Sequence, residues 1–152
     1  KRSDSDINEV LQVISRFQAH AEVTLGLNYN EGLQVCEVLG LKSGNKDEND
    51  LKSMATEIRR KLGISTLVLH PVESAACATK DGVWWSPGPY CENPKITTGA
   101  GDHFNAGFCS ARLSGFSPLT SLALATCTSG HYVRTAQSPS PAQVIELLKA
   151  NI

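Results

Sequence analysis

The chain has 152 residues, 41% of them hydrophobic, and a formal net charge of −1 with acids and bases mixed along its length. That suits one domain with a packed core, and offers neither a basic stripe for nucleic acid nor a basic amphipathic helix for a membrane surface. No apolar run is long enough to span a bilayer, and five scattered cysteines without a Cys-x-x-Cys pair argue against a disulfide framework or a zinc site.

In chain order, Ser3 and Asp6 have the spacing of a capping box, and Ile7, Val10, Leu11, Ile14 and Phe17 follow at helical spacing. Glu22 to Leu27 reads as a short buried strand. Asn28-Tyr29-Asn30-Glu31 comes directly after it, and then a helix carrying Leu33, Val35, Cys36 and Leu39. Lys42 to Asp50 is a polar loop. Leu51, Met54, Ala55, Ile58 and Leu62 make the next amphipathic helix, which Gly63 ends. Ser65 to His70 and Ala75 to Thr79 read as buried strands. Lys80-Asp81-Gly82 turns the chain into a return strand, Val83 to Ser86. Trp84 and Trp85 point to opposite faces of it, so at least one is expected in the core. Pro87 to Pro94 is a proline-rich loop. Beyond Thr97, the residues Phe104, Phe108, Ala111 and Leu113 predict one inward helix face. Gly115 and Ser117-Pro118 break the chain before a helix running from Leu119 to about Thr135. Ala136 to Pro141 is a loop, and Val144, Ile145, Leu147 and Leu148 mark a last helix. Helices alternating with short strands imply an α/β fold, with a mostly parallel sheet covered by helices and one hairpin after His70.

Two stretches carry chemistry. Gly99, Ala100 and Gly101 lie at the entry of a helix, where backbone N–H groups lack intrahelical partners and the helix dipole adds positive potential. Nothing larger than a methyl blocks an anion there, and Asp102 stands beside it in the first turn. An anion cradle with a carboxylate at its lip suits phosphoryl transfer. Asn28 and Glu31 stand at the carboxyl end of a strand, where ligands gather in open α/β sheets. The same spacing makes an Asn cap with a capping-box Glu, and both roles can hold together.

Thr97-Thr98-Gly99-Ala100-Gly101-Asp102, followed by Phe104-Asn105-Ala106-Gly107, resembles the C-terminal signature of the ribokinase-like carbohydrate kinases, also called the phosphofructokinase B family. Asn28-x-x-Glu31 is similar to the family's Asn-x-x-Glu motif. The resemblance covers nearly all of the chain. It implies a three-layer α/β sandwich, of which residues 1–152 form the nucleotide-binding and catalytic C-terminal half, with most of the sugar site and a lid in a preceding half. It implies transfer of the γ-phosphate of ATP to a hydroxyl of a sugar or sugar-like alcohol. Asp102 is then the catalytic base, and the amides of Gly99, Ala100 and Gly101 form the anion hole. Asn28 and Glu31 place magnesium and the nucleotide phosphates largely through water, without direct metal ligands. Thr98, His70, Thr126 and Ser129 are weaker nucleotide-binding candidates, and packing is the commoner role for the last two. The partners implied are a small-molecule sugar and a nucleotide, with neither nucleic acid nor membrane, and room for a homodimer of the complete protein. The chain starts at Lys1 and runs straight into a helix, so no signal peptide is expected. Reduced, mostly buried thiols in a cytoplasmic protein fit the cysteine pattern.

Two positions depart from the family pattern. Ile96 stands where an Asp near a monovalent-cation site is common, which leaves cation activation doubtful. His70-Pro71-Val72 replaces a Thr-x-Gly at the nucleotide. Two alternatives therefore stand beside the sugar kinase: a non-catalytic nucleotide-binding or regulatory relative, and a nucleoside or vitamin kinase of the same fold.

Overall fold

The computed structural model describes residues 3–151 and divides into two compact units. The first runs to Pro71 and takes in Ala76–Trp84; the second holds Val72–Ala75 and the chain from Trp85 onward.

The first unit opens with α1 (Asp4–Phe17), whose N-terminus is closed by the Ser3–Asp6 capping box. Then come β1 (Thr24–Leu27), α2 (Tyr29–Leu39), α3 (Glu48–Leu62) and β2 (Thr66–Leu69). β1 and β2 are parallel, in register from Thr24↔Thr66 to Leu27↔Leu69. Gln18, just past α1, ties their entries together: its Oε1 accepts from Ser65 N–H (2.7 Å) and Val23 N–H (3.2 Å). β3 (Ser74–Ala78) pairs antiparallel with β2, and β4 (Val83–Pro87) completes the order β1-β2-β3-β4. The sheet is therefore mixed, and less parallel than the alternation of elements implies. The segment between β2 and β3 is only residues 70–73, far too short for the crossover that a parallel neighbour needs, so β3 returns antiparallel.

The core of this unit follows the sequence pattern. Leu51, Met54, Ala55, Ile58 and Leu62 of α3 are all buried, as are Leu67, Val68 and Leu69 of β2. Each large aliphatic side chain contributes about 1.5–3 kcal/mol by leaving water. β3 is buried along its whole length, and its small side chains, Ser-Ala-Ala-Cys-Ala, suit a strand covered on both faces. α3 starts at Glu48, three residues before the first apolar position, because Asp47 caps it through Asp50 N–H (3.0 Å). Elsewhere burial is thinner than expected. In β1 only Leu27 is buried, and in α1 only Leu11, with Val10 and Phe17 exposed. Trp84 and Trp85 are both half-buried.

The second unit is built on α4 (Ala100–Leu113), α5 (Pro118–Thr135) and α6 (Pro141–Lys149). Phe104, Phe108 and Ala111 are buried, but Leu113 is 90% exposed. At about 100° per residue, Leu113 lies half a turn round the helix from Phe104, on the opposite face. α4 and α5 approach closely at Gly107, where a Cβ would sit 2.6 Å from Thr128 Oγ1 and 3.0 Å from Ala125 Cα. Only glycine allows that approach, so the signature's last glycine is a packing residue. Arg134 on α5 donates to the carbonyls of Pro89 and Tyr90 and so holds the proline-rich loop. Among the described residues no helix is long and apolar enough to cross a membrane. Cys36, Cys77 and Cys127 are buried, Cys91 is half-buried and Cys109 exposed, with none in a disulfide.

Candidate active site

The signature stretch, in the second unit, is a turn feeding α4. Gly99 is the N-cap, with φ 88° and ψ −2°. These are the angles of the third residue of a type II turn, and Ala100 N–H closes the turn on Thr97 O at 3.1 Å. That conformation disfavours any side chain, and a Cβ on Gly99 would in addition lie 3.2 Å from the Tyr132 hydroxyl.

Three successive carbonyls of this stretch are held by side chains. Thr98 O accepts from Tyr132 Oη (3.1 Å), Gly99 O from His103 Nδ1 (2.8 Å) and Ala100 O from Ser129 Oγ (3.0 Å). A carbonyl can only accept, so His103 carries a proton on Nδ1; in the neutral ring Nε2 then accepts from Ser138 Oγ at 2.9 Å. The His103 ring also stacks on Tyr132, with centroids 3.6 Å apart and planes 12° from parallel. His103, Tyr132 and Ser138 carry no motif, and sequence reading assigned them nothing.

The N–H groups of Gly99, Gly101 and Asp102 have no hydrogen-bond partner among the described residues. Of the three amides expected to face an anion, that of Ala100 is engaged by closure of the turn, while those of Gly99 and Gly101, and that of Asp102 beside them, are not. Asp102 occupies the third position of α4 and is exposed, and its carboxylate makes neither a hydrogen bond nor an ion pair among the described residues. Thr98 is exposed and takes part through its carbonyl. Thr126 is buried, returns its hydroxyl to Ala123 O (2.9 Å) and faces the α-carbon of Gly88, which is a packing role. Ser129 acts on the turn from behind.

The other candidates lie in the first unit, at the carboxyl ends of β1 and β2. His70 N–H donates to Leu27 O at 2.9 Å and so continues the parallel ladder by one residue. Asn28 caps α2: Glu31 N–H donates to Asn28 Oδ1 (3.0 Å), and Asn28 N–H donates to Glu31 Oε2 (2.8 Å). The capping reading of this motif is thus realised. It engages Glu31 through Oε2 and leaves Oε1 without a hydrogen bond among the described residues, on an exposed side chain. Burial pushes the His70 imidazole below its usual pKa, and the nearby Glu31 charge opposes that shift.

Residues 1–150 match the model of the prokaryotic ketohexokinase family. The chain belongs to that family. A curated relative of this ketohexokinase-family chain is the ketohexokinase of Haloferax volcanii, 27% identical over 140 residues that cover 92% of this chain and 36% of the relative. Among solved structures, Arabidopsis thaliana ribokinase complexed with ribose and ATP matches at a TM-score of 0.70 and 21% identity, over 93% of this chain and 43% of that one. Thermotoga maritima 2-dehydro-3-deoxygluconokinase matches at 0.72 and 18% identity, over 93% and 45%. At such identities the likeness establishes the fold, which is ribokinase-like. The ketohexokinase-family chain spans 36% of its curated relative and under half of both structures.

Proposed function

We propose that this chain carries the phosphoryl-transfer machinery of an ATP-dependent sugar kinase, with a ketohexose as acceptor. The acceptor class follows the family name and that of the Haloferax relative. The observation that carries the reading is the open N-terminus of α4: unpartnered amides at Gly99, Gly101 and Asp102, with an unpaired, exposed carboxylate on the last.

In the reaction, the acceptor oxygen bonds to the γ-phosphorus, the bond from that phosphorus to the β–γ bridging oxygen breaks, and the hydroxyl proton passes to Asp102. Amides preorganised at the start of a helix take up the charge spread over the phosphoryl oxygens. Asp102, with no competing partner, receives the proton as the new bond forms.

Among the described residues no cluster of three or more His, Cys, Asp or Glu side chains can hold a metal ion. Magnesium keeps several waters and takes few protein carboxylates, so a single carboxylate can hold it through water. Glu31 suits such a water-mediated role because the capping box engages only Oε2, while Asn28 fixes the carboxylate's position. When bound, magnesium supplies neutralising charge on the nucleotide phosphates.

The test is Asp102→Asn in the complete protein. The amide keeps the side chain's shape and removes the base, so kcat should fall by ~10²–10⁴-fold. Nucleotide affinity, measured by calorimetry, should change little. Turnover of ketohexose within about three-fold of wild type (roughly 0.6 kcal/mol) would reduce Asp102 to a helix-end residue and refute the mechanism.

A further inference from the structure

We infer that Tyr132 is a positioning residue for phosphoryl transfer: its hydroxyl holds the Thr98–Gly99 peptide in the orientation that exposes the Gly99 N–H. The inference rests on the kinase reading above for its catalytic consequence, and on geometry alone for the orientation.

Type I and type II turns place their first and last residues alike and differ mainly by a flip of the central peptide. In the turn from Thr97 to Ala100 that central peptide joins Thr98 and Gly99. Gly99, at φ 88° and ψ −2°, is in the type II state. A trans peptide is planar, so its C=O and N–H point in opposite directions. The Thr98 carbonyl accepts from Tyr132 Oη at 3.1 Å, and the Gly99 N–H of the same peptide is therefore aimed away from α5 and left without a partner. Flipping the peptide would withdraw that donor and turn a carbonyl oxygen outward, which repels an anion.

The neighbouring peptides do not need Tyr132. Ala100 N–H is secured by Thr97 O, and Ala100 O belongs to the first residue of α4, whose helix orients it. The Thr98–Gly99 peptide has the Tyr132 hydroxyl as its holder. Tyr132 is itself placed by its stack on His103, which is anchored through both ring nitrogens to Gly99 O and Ser138 Oγ. A Cβ on Gly99 would come within 3.2 Å of the hydroxyl, so glycine both permits the turn and admits the phenol.

Tyr132→Phe removes the hydroxyl and keeps the ring and its stack. Two measurements on the complete protein separate the claims. In selectively ¹⁵N-glycine-labelled, deuterated protein, the residual dipolar coupling of Gly99 reports the direction of its N–H. Tyr132→Phe should shift the Gly99 coupling and leave that of Gly101 unchanged. In steady-state assays with ATP and fructose, kcat should fall about ten-fold, a fraction of the ~10²–10³-fold cost of deleting such a donor outright. Both KM values and the melting temperature should stay near wild type; a merely structural hydroxyl would lower the melting temperature and spare kcat. An unchanged Gly99 coupling overturns the inference, and so does a shifted coupling with kcat within two-fold of wild type. If the wild-type protein transfers no phosphate, the kinase reading falls and takes the catalytic claim with it, while the coupling still decides whether Tyr132 holds the turn.

Discussion

α2 and α4 begin alike and end up differently. Each has an acid at its third position, Glu31 in one and Asp102 in the other. At α2 the cap is Asn28, and the two side chains bond each other's backbone, so the helix end is closed by its own residues. At α4 the cap is Gly99, which has no side chain to offer, and the Asp102 carboxylate makes no capping bond. The amides of Gly99, Gly101 and Asp102 have no partner among the described residues, and the turn is braced by Tyr132 and Ser129 of α5 and by His103 of α4 itself. A helix N-terminus satisfied locally is a structural feature. One whose carbonyls are held by side chains of its own and of a neighbouring helix, while most of its first amides are left unengaged, keeps those donors for something else.

The contrast can be broken from the α4 side first. After Asp102→Asn, the largest loss is expected from Gly99→Ala. A left-handed alanine costs ~1–2 kcal/mol, and the added methyl presses on the Tyr132 hydroxyl. Denaturant melts should show that loss, and displacement of the turn should lower kcat by about 10²-fold. An alanine variant with wild-type melting and turnover would mean that the turn needs no glycine.

On the α2 side the expected effects are smaller and divide between stability and metal use. Asn28→Ala removes a cap and should destabilise the fold by ~1 kcal/mol in the same melts. Glu31→Gln preserves the capping box, because a Gln oxygen can reach back equally well, so melting should hardly change. Its magnesium titration at fixed nucleotide should move to higher magnesium. Superimposable titrations would leave Glu31 as a cap and nothing more.

The smallest effect concerns pH. His70 has a folded-state pKa below its ordinary 6.5, first through burial, with Glu31 opposing. The unfolded chain therefore binds this proton more readily than the folded one. The stability tied to neutral His70 is complete above about pH 6.5 and is lost as pH falls through the lowered folded value. His70→Gln should flatten this part of the stability–pH curve. Glu31→Gln should deepen it, since the charge that opposes the shift is gone. Parallel curves for wild type and His70→Gln between pH 5 and 7 would show that His70 does not contribute.

Much of this was legible in the order of residues. Periodicity located the helices, because a buried face must recur every 3.6 residues, and Leu51 to Leu62 is the clearest instance. The Lys80-Asp81-Gly82 turn announced the hairpin, and Asn28-x-x-Glu31 specified its cap, since both are decided by groups a few residues apart. Leu113 failed because apolar character was read without counting its angle round the helix. The types and spacing of Gly99, Ala100, Gly101 and Asp102 sufficed to expect a helix entry there, and α4 begins at Ala100 with Gly99 as its cap.

Only the tertiary structure decided which donors of that helix entry stay open. The Ala100 amide is engaged because the turn closes on Thr97, a bond that depends on the conformation of Gly99. The bracing comes from Tyr132, 34 residues beyond Thr98 in the chain, and from Ser129, 29 beyond Ala100. A tyrosine and a serine on a helix have no signature of their own. Their role is set by the packing of α5 against α4, which the missing side chain of Gly107 permits, and by the direction in which that contact turns each hydroxyl.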